Sequence, residues 1–111
     1  MRVTALSDAE PFESPGHDGV APLWVQGGPA TPVDRFTVVL SRYEPGGRAA
    51  PAVQPAETVY VLLSGSLTFE SAGRRVAAGP HDTVHFAKGE TRAVTNEGDV
   101  PASMLVIRAT S

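Results

Sequence analysis

The sequence predicts an all-β domain, a small sandwich or barrel of short antiparallel strands, and three observations carry that reading. Glycine and proline supply 21 of the 111 residues, and they recur about every 8–15 positions, the punctuation of many short strands joined by tight turns. The runs between them are short and rich in β-branched and aromatic residues. No segment carries the apolar spacing of an amphipathic helix. At this length there is room for one hydrophobic core and not two, and a core of this size needs no disulfide or metal to hold it.

Taken in order, residues 1–33 read as an irregular N-terminal arm of the same domain. Within it Leu23-Trp24-Val25 is an edge strand, broken by Gly27-Gly28-Pro29. His17, inside Pro15-Gly16-His17-Asp18-Gly19, falls in a loop. Residues 34–111 hold the barrel. From Asp34 to Glu44, Phe36, Val38 and Leu40 alternate with Thr37, Val39 and Ser41, the period of two that a strand imposes. Thr58 to Leu63 is apolar on both faces and too short and β-prone for a helix. Ser64-Gly65 turns the chain into Ser66–Glu70, Ser71-Ala72-Gly73 turns it into Arg74–Ala78, and Gly79-Pro80-His81-Asp82 turns it again. Thr83–Phe86 and Thr91–Thr95 are short strands, ended by Lys88-Gly89 and by Asn96 to Asp99. Ala102–Arg108 is the last strand.

Composition excludes several classes of function. Cysteine is absent, so disulfides, thiolate nucleophiles and Cys-ligated metal sites are excluded together. Net charge is −3 and the basic residues form no cluster beyond Arg74-Arg75, which argues against a nucleic-acid partner. No stretch approaches the ~18 apolar residues of a membrane helix, and Met1–Asp8 lacks the basic start and apolar run of a secretory leader. A cytoplasmic protein with no membrane partner is the expectation.

Two segments resemble the sequence motifs of the cupins, a family of small β-barrels. Gly46-Gly47 through Gly65 is similar to the first motif, which carries His-x-His, then a Glu, then a Gly closing a hairpin. Ala87-Lys88-Gly89-Glu90-Thr91-Arg92-Ala93-Val94-Thr95-Asn96 is similar to the second, with a His between its Gly and its Asn. The likeness runs from about Phe36 to Ile107. It implies a cupin-type double-stranded β-helix, a jelly-roll barrel of two antiparallel sheets. It also implies a homodimer, which the exposed edge strands of such barrels make physically reasonable.

The resemblance places the family's metal ligands at Ala52, Gln54, Thr58 and Arg92, and none of the four suits that task. Alanine has no donor atom, arginine keeps its proton, and neutral Gln and Thr are poor ligands for a transition metal. Shifting the register to use Glu57 turns that carboxylate to the opposite face of the strand. His81 and His85 lie ~13 Å apart on a strand, too far to share a metal. The expectation is a site with no metal and no cofactor.

If the barrel closes as in cupins, Gln54, Thr58, Tyr60 and Arg92 share one cavity. Arg92 then supplies a fixed cation for a carboxylate or enolate. Tyr60 is the candidate proton donor or base. His85 is the candidate general acid/base provided its face of the strand is inward. Trp24 either lids the mouth or packs under the arm. The catalytic candidates are thus Tyr60, His85 and Arg92, and the substrate-binding candidates are Gln54, Thr58, Arg92 and Trp24. Similarity to stand-alone cupins such as polyketide cyclases implies an enzyme for isomerisation, cyclisation, dehydration or lyase-type elimination on a small carbonyl-bearing molecule. The alternative is a non-catalytic small-molecule-binding or accessory domain.

Overall fold

A computed structural model describes all 111 residues. After a single 3-10 turn at Leu6–Asp8, nine strands follow: β1 Glu10–Pro11, β2 His17–Gln26, β3 Phe36–Val53, β4 Thr58–Ser64, β5 Leu67–Ser71, β6 Arg74–Ala78, β7 Thr83–Phe86, β8 Thr91–Thr95 and β9 Ala102–Ala109. Every pairing is antiparallel, and the hydrogen-bonded order is β6-β5-β8-β3-β9-β4-β7, with β2 added along β3 and β1 along β2. This is the jelly-roll barrel expected.

The barrel curls because β3 serves both of its walls. Its first half, Phe36 to Tyr43, pairs with β9, whereas Arg48 to Val53 pairs with β8. The bend between them lies at Gly46-Gly47. A Cβ on Gly47 would stand 2.5 Å from the Gly19 carbonyl oxygen, so β2 and β3 cross there only because both residues are glycines. The strand expected over Asp34–Glu44 therefore runs on to Val53.

The core fills the space between the walls. Tyr43, Tyr60, Leu62, Leu67, Phe69 and Met104 are among its fully buried members. Tyr60, Phe69 and Phe86 meet as tilted and edge-on rings 5.3–6.4 Å apart, the geometry that aromatic quadrupoles favour. Period-two alternation sorts β4 cleanly: Thr58, Tyr60 and Leu62 point in, while Val59 and Val61 are half-buried on the outside. Asn96 closes one end. Its buried amide donates to the carbonyls of Tyr43 (3.1 Å) and Val100 (2.9 Å), and its Oδ1 accepts from Gly98 N–H (3.0 Å).

The N-terminal region is more regular than its sequence suggests. Where a three-residue edge strand is expected, β2 spans ten residues and registers against β3 from His17↔Ala49 to Gln26↔Val38. Gly19 and Pro22 obscure the alternation, yet Pro22 is tolerated because β2 has a full-length partner on one side only. No helix is long and apolar enough to cross a membrane.

Candidate functional site

A cavity of about 230 Å³ opens between the walls, and its lining comes from both the barrel and the N-terminal strands. From β3 and the turn after it come Val39, Ser41, Tyr43, Ala52 and Gln54. β4 gives Tyr60, β8 gives Arg92, and β9 gives Met104, Val106 and Arg108. Phe12, His17, Pro22 and Trp24 close it from the N-terminal side, with Phe12 and Trp24 stacked at 4.4 Å. Trp24 thus both packs against the arm and faces the cavity. No aspartate or glutamate reaches the lining.

Two arginines do reach it. Arg92 sits opposite Ala52 in the β3–β8 ladder and is only 6% exposed. Its one hydrogen bond is a long 3.4 Å contact from Nη1 to the Ala50 carbonyl, and its buried Nε has no partner. A guanidinium held out of water with donors to spare is costly unless an anion or acceptor completes it. Arg108 is better tethered, with Nε donating to Thr58 Oγ1 (3.1 Å) and Nη2 to Gln54 Oε1 (3.0 Å).

Gln54 is the hub of these contacts. Its backbone is pinned by exchange with the 89–90 turn, N–H to Glu90 O at 2.8 Å and C=O from Gly89 N at 2.9 Å. The side-chain oxygen accepts from Arg108 and, at 3.4 Å, from the Tyr60 hydroxyl. Thr58 lies behind the wall: it is fully buried, donates to Ala56 O (3.0 Å) and accepts from Arg108. It does not line the cavity, and its hydroxyl holds Arg108 in place. Tyr43 presents a buried ring, and desolvation raises its phenol pKa far above the usual range, so Tyr43 stays neutral.

The sequence expectations place as follows. Gln54, Tyr60, Arg92 and Trp24 are brought together around the cavity, and Thr58 is one layer behind. His85 is not with them. On β7 it pairs with Val59, an outward position, and its half-exposed ring meets Glu57 Oε2 at 2.7 Å on the outer surface. Parity decided this: Val84 and Phe86 take the inward side of that four-residue strand. His81 is exposed in its turn.

Among the cavity residues not expected from the sequence, Arg108 and His17 carry the chemistry. Arg108 shares parity with Met104 and Val106, so the alternation of β9 carried the signal. His17 reads as loop because glycines flank it, yet it begins β2 and faces the cavity. Its Nδ1 lies 3.0 Å from the Pro15 carbonyl. A carbonyl only accepts, so Nδ1 carries the proton and Nε2 keeps its lone pair. Burial lowers the His17 pKa, and the charges of Arg92 and Arg108 lower it further, partly offset by the Pro15 bond.

The donor set does not suit a metal ion. The positions where cupins carry ligands hold Ala52, Gln54, Thr58 and Arg92, and no three His, Cys, Asp or Glu side chains cluster anywhere in the molecule. Arg92 brings a guanidinium cation to that set of positions, which disfavours a second cation beside it.

Fold and site together define a small jelly-roll barrel with a cationic, aromatic-edged cavity. The chain belongs to the cupin family: residues 39–108 match the cupin domain. A Mycobacterium tuberculosis protein named beta-D-galactosidase Rv1717 is 42% identical over 106 residues, spanning 96% of this chain and 91% of the relative. Among solved structures, the polyketide cyclase RemF of Streptomyces resistomycificus superposes with a TM-score of 0.87 at 20% identity, covering all of this chain and 80% of that one. A sugar phosphate isomerase of the cupin superfamily from Silicibacter pomeroyi gives 0.79 at 24% identity, covering 96% and 74%. At those identities the structural likeness speaks to fold.

Proposed function

We propose that the cavity binds a small carbonyl- or carboxylate-bearing metabolite in the cytoplasm and catalyses proton transfer on it without a metal. The observation that carries this is the buried Arg92 guanidinium with a free Nε, in a cavity lined by no carboxylate. An oxyanion on the ligand supplies the missing acceptor, and Arg92 and Arg108 then stabilise negative charge that grows on oxygen as a neighbouring carbon loses its proton. Their fixed placement in a desolvated site makes such stabilisation stronger than in water.

His17 Nε2 is the base this reading favours, since its neighbours keep it neutral and its tautomer leaves the lone pair available. Tyr60, hydrogen-bonded to Gln54, is the proton donor. Isomerisation, dehydration and cyclisation all share this first step. The cyclase and isomerase among the structural neighbours are consistent with it at the level of fold only.

The galactosidase name of the 42% identical relative favours a second reading, a β-galactoside as ligand. Trp24 and Phe12 offer an aromatic face on which a sugar ring can stack. Ordinary glycoside hydrolysis employs two carboxyl groups flanking the bond, and the cavity lining holds none, so that chemistry has no residues here to perform it.

Trp24 is the only tryptophan in the chain, so its emission reports on the cavity directly. Titration with small aliphatic and aromatic carboxylates is expected to change that emission saturably, and Arg92→Met to abolish the change. Turnover of a bound carboxylate, lost in His17→Gln or Tyr60→Phe with binding kept, identifies an enzyme. Binding with no turnover under any condition identifies an accessory domain. Saturation by β-galactosides alone, with release of nitrophenol from nitrophenyl β-D-galactoside, would overturn the carboxylate reading.

A further inference from the structure

The cavity holds two cations and no anion. Arg92 and Arg108 both reach its lining and no aspartate or glutamate does. The ion pairs of the chain all lie at the surface, and neither of these arginines enters one. Their partners within the chain are neutral oxygens: the Ala50 carbonyl for Arg92, and the side chains of Thr58 and Gln54 for Arg108. Such bonds satisfy individual donors and leave the charge uncompensated, so a ligand with one negative charge neutralises only half of what the site carries.

The two charges come from opposite sides. Register sets Arg108 on β9 opposite Thr37, and Arg92 on β8 opposite Ala52, near the two ends of β3. The bend at Gly46-Gly47 turns those ends toward each other, so the arginines enter the cavity from different walls. Each guanidinium is tethered on its own side, and each keeps a donor free, Nε on Arg92 and Nη1 on Arg108.

Resting on the carboxylate reading above, we propose that the ligand is a short-chain dicarboxylate held end to end, one carboxylate at Arg92 and the other at Arg108. A single compact dianion such as phosphate has its charge at one point, whereas two carboxylates joined by a short chain meet two cations that are held apart. Val39, Met104 and Val106 offer the methylenes an apolar wall.

Volume sets the length of the chain. A cavity of ~150 Å³ takes a benzene ring, about 25 Å³ for each heavy atom. At that ratio the cavity of about 230 Å³ holds roughly nine heavy atoms, the size of a diacid of about four or five carbons.

Isothermal titration calorimetry on the native chain compares succinate and glutarate with butyrate and pentanoate, the monoacids of the same carbon counts. The diacids are expected to bind roughly 10–100-fold tighter. Suberate, about three heavy atoms too long for the cavity, is expected to lose most of that gain. Trp24 emission, followed in parallel, reports that binding is at the cavity. In Arg108→Met the ratio of succinate to butyrate affinity is expected to fall close to one. That change also removes the tether to Thr58 and Gln54, so Arg108→Lys serves as the second variant. It restores a cation, and a ratio well above one is expected to return.

Diacids that bind no tighter than monoacids overturn the proposal and leave the carboxylate reading standing. So does inorganic phosphate that binds as tightly as succinate, or a ratio that Arg108→Met leaves untouched. Binding of no carboxylate at all overturns both.

Discussion

Arg92 is held where its charge costs the fold something, and two measurements separate that cost from its use. Replacing it with methionine keeps most of the volume and removes a desolvated cation with an unpartnered Nε. Thermal stability is expected to stay within about 1 kcal/mol of the native chain or to rise, while carboxylate affinity falls roughly 10–100-fold. A large loss of stability with no effect on binding would make the residue structural. His17 gives a second residue-scale expectation, in pH. Its folded pKa lies below the 6.5 of the free side chain. As pH falls below about 6.5, the unfolded chain takes up a proton that the folded chain refuses, so stability drops until the folded pKa is reached and is constant beneath it. Above that window His17 is neutral in both states and contributes nothing. Urea midpoints measured from pH 7.5 downward are expected to fall less steeply for His17→Gln than for the native chain. Bound carboxylate offsets the arginine charges and raises the His17 pKa, so the native slope is expected to flatten when ligand is present.

At the scale of elements, turns were more legible in the sequence than faces. Ser64-Gly65 reads as a hairpin turn, and Gly65 has φ +72° with Pro101 O only 2.6 Å from where a Cβ would stand. Gly65→Ala is therefore expected to cost roughly 1–3 kcal/mol, visible as a lower urea midpoint with an unchanged slope. The order and spacing of β3 to β9 followed from such turns, because Gly, Pro and Asn mark positions only a few residue types can fill. Direction was harder to read. β7 offers His85 and Thr83 on one side and Val84 and Phe86 on the other, and four residues leave the choice to the neighbouring strands. The packing of Phe86 against Tyr60 and Phe69 settled it and turned His85 outward. In β2 the glycines and Pro22 hid a strand whose stability comes from registry with β3, a long-range partner that local pattern does not reveal. Arg108 was readable: Met104 and Val106 place it inward by simple alternation, and its contact with Thr58 and Gln54 shows why the barrel tolerates it there.

For the whole molecule, the arrangement is a barrel whose ligand-sized cavity is positive inside while the chain as a whole carries a net charge of −3. The positive charge within comes from side chains built into β8 and β9, so it is present in every folded copy and in no unfolded one. A ligand that binds only the folded state stabilises it by mass action, about 2.7 kcal/mol at 100 times its Kd. For a domain of this length that corresponds to a rise in Tm on the order of 10 °C. A carboxylate that saturates the Trp24 signal is expected to raise Tm by that amount, and the rise should vanish in a chain carrying both Arg92→Met and Arg108→Met. Metal ions should behave oppositely. The donor set of Ala52, Gln54, Thr58 and Arg92 has no charge to offer a divalent cation, and Arg92 repels one. Added zinc or manganese, or a chelator applied to freshly purified protein, is therefore expected to shift Tm by less than about 1 °C. Differential scanning calorimetry makes both comparisons on the same sample. A chelator-induced fall in Tm of several degrees, reversed by one metal, would show that the barrel binds a cation through residues other than these four, and the charge argument for a carboxylate ligand would fall with it.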